Sequence, residues 1–326
     1  MTPILETLPG ITLPVAEVNR QLGQMWQPGR EGSGAPSEFR ASQMNFILHF
    51  GLQTTVQDAR ARFEEAIHFS QRYPCRIIVL CPEEENASDR FLEAKLFAQC
   101  YIGNTPRTMC CCEALMLGYP PNEKGDLQNQ ISIWLESDLP TCHWFHRVPS
   151  ERISDHYLSF TRGAKHILFD SSVEHTDFCQ LPWKNPSRVK DLASARLLPI
   201  RQSVGQYLSG FPPEALAAGV KGIKITHGEP LSGEAYNLSA WMKQCLETAD
   251  PNLSLNEELT PLKGEPDRIF GEWVIENSDH QFAFDLRFSE GRGLLTAKFD
   301  DGSPTDWPFK AHLLPPRDAL SEAVFF

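Results

Sequence analysis

Two apolar runs separated by one amphipathic helix constrain this chain more than any other feature. Met44-Asn45-Phe46-Ile47-Leu48-His49-Phe50 is largely apolar on both faces, the pattern of a central strand. Thr55 then opens a helix with Val56, Ala59, Phe63, Ala66, Ile67 and Ser70 on one face, and Pro74 closes it. Cys75 to Cys81, CRIIVLC, is a second buried strand. A strand–helix–strand order favours a parallel pair joined by a right-handed crossover. The expected fold class is therefore α/β, with a mixed, partly parallel sheet flanked by helices.

On either side of this unit the pattern changes. Pro14 to Trp26 has Val15, Val18, Leu22 and Met25 at helical spacing. The Gly/Pro/Ser segment QPGREGSGAPSE that follows is expected to be mobile. FLEAKLFAQCYI contains strong helix formers, yet Leu92, Ala94, Leu96, Ala98, Cys100 and Ile102 alternate strictly. The alternation predicts a strand, with Thr108 to Leu117 returning as its hairpin partner after the turn at Gly103-Asn104-Thr105-Pro106.

Leu127 to Val148 reads as a helix, a tight break at Ser137-Asp138-Leu139-Pro140, and a strand rich in Cys, Trp and Phe. A helix near Arg152 to Thr161, a strand from His166, two helical pieces over Asn185 to Gly210, a strand over Val220 to Thr226 and a helix over Ser232 to Leu246 continue the chain. After Asp250-Pro251 the period becomes two. Phe282, Phe284, Leu286 and Phe288 face one way, and a hairpin turn lies at Ser289 to Gly293. Three parts are expected: an N-terminal helix and linker over 1–39, an α/β body over 40–250, and a C-terminal antiparallel β-meander over 251–326.

Charge narrows the function classes. The net charge of −12 argues against sequence-independent nucleic-acid binding and against an anionic membrane surface. The N-terminus MTPILETLPG shows no secretory pattern, and no stretch reaches the roughly 20 apolar residues of a membrane span. Nine scattered cysteines, without a Cys-x-x-Cys pair, indicate mostly free thiols and a cytoplasmic location.

The candidate chemistry is sparse. Cys110, Cys111 and Cys112 are adjacent, so as a trio they suit neither a common disulfide nor a tetrahedral metal; core packing and redox sensing are the two readings. Cys142, His143 and His146 cluster, but on a strand the two histidines face opposite ways, which weakens local chelation. Asp138 at the break and Asp170 at a strand end are candidates for a small ligand, a sugar phosphate among them, or for an enzyme site. No Walker A, dinucleotide, H-E-x-x-H, G-x-S-x-G or kinase signature occurs. No cofactor and no metal site are expected.

Ordered landmarks resemble the glucose-6-phosphate dehydrogenase assembly proteins, the OpcA family. Arg40-Ala41-Ser42 leads into the first strand, and Arg72-Tyr73-Pro74-Cys75-Arg76-Ile77-Ile78 forms a helix-to-strand turn. Then come Cys110-Cys111-Cys112-Glu113, Ser137-Asp138-Leu139-Pro140 with Trp144, Phe169-Asp170-Ser171-Ser172, and the run from Asp191 to Pro199. The resemblance covers about residues 14–230. It implies a non-catalytic partner of glucose-6-phosphate dehydrogenase that promotes the active oligomer or activates it allosterically, with thiol redox state implicated in cyanobacterial relatives. The chain departs from the family in its third consecutive cysteine and in ending at Phe326, where some members continue into a longer helix. Arg and Trp are enriched at interface hot spots. On that basis Trp144, Trp183, Arg188, Arg196 and Arg201, near the landmarks, are the candidate partner-binding residues.

Overall fold

The computed structural model describes residues 3–25, 42–83, 93–102, 109–121, 125–174, 176–276, 280–299 and 303–326. The expected linker and the turn at Gly103 to Pro106 lie outside the described residues. The chain divides into two compact units. The first comprises Met1–Phe169, Val173–Lys190 and Leu320–Phe326, and the second comprises Asp170–Ser172 and Asp191–Ala319.

The first unit begins with helix α1 (Ile4–Thr7), strand β1 (Ile11–Pro14) and helix α2 (Val18–Met25). Strand β2 (Met44–Phe50) is buried at all seven positions, as its apolar character on both faces requires. Helix α3 (Val56–Arg72) starts where the sequence places it: the Thr55 hydroxyl accepts from Asp58 N at 3.1 Å, a side-chain N-cap. Its buried face carries Ala59, Phe63, Ala66, Ile67 and Ser70. Strand β3 (Cys75–Pro82) then pairs parallel with β2.

Alternation overrides helix propensity next. Strand β4 (Glu93–Ile102) pairs antiparallel with β5 (Met109–Tyr119) and with β1 on its other side. Flanked by two strands, β4 has ladder partners for its backbone groups on both edges, which a lone amphipathic segment lacks. Helix α4 (Gly125–Trp134) leads through the Ser137–Pro140 break into β6 (Thr141–His146), parallel to β2. The expected helix after Arg152 is irregular: α5 (Ser150–Arg152) runs into a π turn at Ile153–Tyr157 and a 3₁₀ turn at Phe160–Gly163. Strands β7 (His166–Phe169) and β8 (Val189–Asp191) complete an eight-stranded mixed sheet of order β1-β4-β5-β3-β2-β6-β7-β8. Its core includes Ile47, Ile78, Leu115, Trp134, Phe145 and Trp183.

In the second unit α6 (Leu192–Arg196) and α7 (Leu198–Leu208) are the two expected helical pieces, with Pro199 in the first turn of α7, where its missing N–H costs nothing. Helix α8 (Pro213–Ala217), strand β9 (Val220–Gly228) and helix α9 (Ser232–Ala249) follow. The remaining strands are β10 (Asn256–Leu262), β11 (Arg268–Ile275), β12 (Gln281–Arg287), β13 (Arg292–Lys298) and β14 (Thr305–Lys310). Together with β9 they form a six-stranded sheet of order β10-β9-β11-β12-β13-β14, antiparallel except for the β9–β10 pair. Helix α10 (Pro316–Phe325) ends the chain.

The division differs from the one expected at residue 251. Strand β9 joins the meander's sheet between β10 and β11, and Ile223, Ile225, Leu238 and Met242 share one core with Trp273, Phe282 and Phe284. Glycine at 271 is a packing requirement of that core. It faces Phe284 across the ladder, and a Cβ there would sit 2.2 Å from the phenyl ring. Among the described residues no helix is long and apolar enough to cross a membrane.

Candidate functional site

The break between α4 and β6 is fastened by polar side chains that come from apolar strands. A buried asparagine must find partners for both ends of its amide. Asn45, fully buried in β2, donates from Nδ2 to the Glu136 carbonyl at 2.9 Å and to the Leu139 carbonyl at 3.3 Å, and its Oδ1 accepts from Glu136 N at 3.0 Å. Its own backbone N–H donates to the Pro140 carbonyl at 2.9 Å. Arg76 of β3, 5% exposed, reaches the same turn. Its Nε donates to Glu113 Oε1 of β5 at 2.5 Å, one terminal nitrogen donates to the Trp134 carbonyl at 2.7 Å, and the other pairs with Glu136 Oε1 at 2.5 Å. The guanidinium therefore satisfies an otherwise orphaned carbonyl at the end of α4 and a buried carboxylate at once.

Beside this turn lies a cavity of about 320 Å³. Ser132 and Leu135, Ser137 and Pro140, and Thr141 and His143 contribute to its walls from the helix, the break and the strand in turn. His49 also lines it, and its Nε2 lies 2.9 Å from His143 Nδ1. The His49 ring stacks on Phe145 with centroids 4.3 Å apart. Close by, the Tyr119 and Tyr157 hydroxyls bond to each other, and Arg152 donates to the Tyr157 hydroxyl at 3.3 Å.

Burial pushes the His143 imidazole down to about 3, and burial together with the neighbouring His143 holds His49 well below the ordinary imidazole range. Both rings are neutral at physiological pH. The unfolded chain binds more protons than the folded one between about 3 and 6.5, so this contribution to stability is complete above 6.5 and is lost as pH falls through that window. The expected slope is about 1.4 kcal/mol per pH unit for His143 alone. Urea unfolding at several pH values checks it: His143→Gln should flatten the acid slope relative to the wild type. An unchanged slope would contradict the assignment.

The matched family covers much of this geometry. Residues 66–181 match the family model described as the glucose-6-phosphate dehydrogenase subunit N-terminal domain, of the OpcA assembly type. A putative OxPP cycle protein OpcA from Synechocystis sp. is 28% identical over 185 residues, covering 53% of this chain and 37% of its own length. A putative OxPP cycle protein OpcA from Synechococcus elongatus is 26% identical over 220 residues, covering 58% of this chain and 48% of its own length. The chain therefore spans less than half the length of these curated relatives. The transcriptional regulator Gal80p from Kluyveromyces lactis aligns over 95% of this chain and 88% of its own at 9% identity, with a TM-score of 0.36, too low to carry an argument.

Three of the sequence landmarks converge in space. Arg76, Glu113 and the Ser137–Pro140 break, far apart in sequence, meet in one network within residues 66–181, and Asn45 joins it from outside the matched segment. Asp138 is exposed at the tip of the break, and it is Asn45 that fixes the turn. Trp144 is fully buried, with the Arg62 guanidinium 6.0 Å from its ring centroid. Trp183 is 5% exposed and its indole N–H donates to the Phe178 carbonyl at 2.9 Å. Both tryptophans pack the first unit from within. Arg188 is half-buried and donates to the Ala164 carbonyl at 2.7 Å.

In the second unit the sequence candidates Asp170 and Arg196 are brought together. Arg196 forks onto both oxygens of Asp170 at 2.7 and 2.8 Å and donates from Nε to Glu234 Oε1 at 2.6 Å. Burial alone would lower the Arg196 guanidinium, but the Asp170 and Glu234 carboxylates outweigh it and raise it above its usual value. Asp170 is thereby held by a partner within the chain instead of facing solvent. Asp191 caps α6 by accepting from Ala193 N at 2.9 Å and also accepts from Asn237 Nδ2 at 2.6 Å; burial raises its carboxyl. Arg201 is half-buried and donates to the Ser194 hydroxyl at 3.2 Å.

The cysteine triplet divides. Cys111 is disulfide-bonded to Cys100, its directly opposed residue across the β4–β5 ladder. Cys112 is a free, buried thiol pushed up by burial, which disfavours the reactive thiolate. The Cys110 side chain lies outside what the structure describes. Burial also raises Cys142 to about 12, the opposite of what a nucleophile needs. Among the described residues no group of three or more His, Cys, Asp or Glu side chains is placed to hold a metal ion.

Proposed function

We propose that the protein is a non-catalytic assembly factor or allosteric activator of glucose-6-phosphate dehydrogenase. The observation that carries this reading is the match of residues 66–181 to a domain family described as a subunit of that dehydrogenase. Likeness to two relatives whose names mention the OxPP cycle supports it. The chemistry of the matched segment supports it as well. Its buried Arg76–Glu113 pair is extended by the more exposed Glu136, and its His143 is held neutral against His49 from outside the segment. Such groups stiffen a surface rather than react with a substrate.

An activator that does no chemistry acts by differential affinity. It must bind the active form of its partner more tightly than the inactive one, typically by about 1–3 kcal/mol. The contact surface in this reading includes the outer face of α4 and the break that follows it, where Ile133 is 60% exposed and Asp138 is open to solvent. A rigid turn beside an exposed apolar side chain is a suitable anchor, because little conformational freedom is lost on docking. Arg188 and Arg201 are further contact candidates, whereas Trp144 and Trp183 act through packing. The Ile133→Asp variant is expected to weaken dehydrogenase binding by about 1–2 kcal/mol in a titration, with the fold unchanged by circular dichroism. Wild-type affinity in that variant would remove α4 from the interface.

A further inference from the structure

The cavity beside the clamped break has a lining of unusual uniformity. Among the described residues its polar wall consists of Gln128, Ser132, Ser137, Thr141, His49 and His143, with no lysine, arginine, aspartate or glutamate. Its apolar wall includes Ile131 and Phe160. A volume of about 320 Å³ is within the range of small-molecule sites.

The imidazole pair adds a directional element. His49 Nε2 and His143 Nδ1 share one hydrogen bond, so one of the two carries its proton. His49 Nδ1 is buried without a partner among the described residues. If His143 donated, His49 would carry an N–H at that orphaned Nδ1. Buried N–H groups without acceptors are the rarer and costlier kind of orphan. The network therefore assigns the proton to His49 Nε2, leaves a bare acceptor at His49 Nδ1, and leaves His143 with Nε2–H as its remaining donor.

We propose that this cavity binds a small, uncharged, polyhydroxylated molecule of the monosaccharide or polyol class. Hydroxyl groups both donate and accept, as the Gln128 amide and the Ser132, Ser137 and Thr141 hydroxyls do. The Ile131 and Phe160 side chains suit the C–H face of such a ring. A phosphate or carboxylate ligand would enter this site in a chain of net charge −12 and meet no lining cation among the described residues. The proposal is independent of the dehydrogenase reading, because the chain alone supplies every lining group.

The test uses the full chain without a partner. Saturation-transfer NMR with D-glucose, D-ribose and myo-inositol is expected to show saturable binding of at least one at millimolar concentration. The 6-phosphate of a bound hexose, or the 5-phosphate of ribose, should bind about tenfold more weakly. Ser132→Leu, at an exposed position of α4, narrows the cavity and removes one of its hydroxyls and should abolish the signal; Thr141→Val should weaken it. The proposal is overturned if none of the three sugars binds, if the phosphate ester binds more tightly than its parent, or if Ser132→Leu binds as well as the wild type.

Discussion

Replacing Arg196 with alanine is expected to destabilise the second unit by about 3–5 kcal/mol. The guanidinium stands between two carboxylates with side-chain exposures of 5% for Asp170 and 3% for Glu234. Removing it strands two like charges in a low-dielectric site, where neither can recover its hydration. Ser172 Oγ, which bonds Glu234 Oε2 at 2.7 Å, offers one neutral donor and no countercharge. Lysine at this position would restore charge but not the fork that meets both Asp170 oxygens and Glu234 together, so Arg196→Lys should recover only part of the loss. Hydrogen exchange of the α6 and α9 amides, with urea unfolding, measures the effect. A loss below about 1 kcal/mol for Arg196→Ala would show that the network contributes little.

Arg76→Met is the second large expected effect, also about 3–5 kcal/mol, and it acts on the first unit. Glu113 is 2% exposed and would lose its cation, and the Trp134 carbonyl would lose its donor. The double variant Arg76→Met with Glu113→Leu distinguishes a stranded charge from a lost contact. Replacing both partners with apolar groups removes the penalty of an uncompensated buried carboxylate, so the pair should cost clearly less than Arg76→Met alone. If the double variant costs the sum of the two single changes, the two side chains are not coupled. Amide exchange at residues 135–139 provides a local readout, because the same guanidinium holds Glu136.

The strands and helices of the first unit were legible because their signals are local. The five apolar positions of β2, the alternation of β4 and the proline-terminated helix before β6 depend only on period and breakers. What meets what was not legible. Asn45 and Glu136 are 91 residues apart, and His49 and His143 are 94 apart. A usable signal did exist in the strands: Asn45, His49, Arg76 and Glu113 are polar residues inside otherwise apolar runs, and each such residue must find a partner. The placement of β9 failed for a related reason. VKGIKIT followed by a helix has the same local pattern in either sheet, and only its ladders with β10 and β11 decide. The Cys100–Cys111 bond was not legible because it depends on the register of the hairpin, which sets Cys100 opposite Cys111, and not on the spacing of cysteines along one strand. Among the partner-binding candidates, residue type pointed to tryptophans at 144 and 183, yet large aromatics more often fill cores, as both do here.

The most direct test of the account is to add the purified protein to glucose-6-phosphate dehydrogenase from the same organism and to follow enzyme activity and oligomer mass together. The account predicts a complex by light scattering, with a shift toward the active oligomer or a rise in activity that saturates with added protein. Unchanged activity and unchanged mass at saturating protein would contradict it.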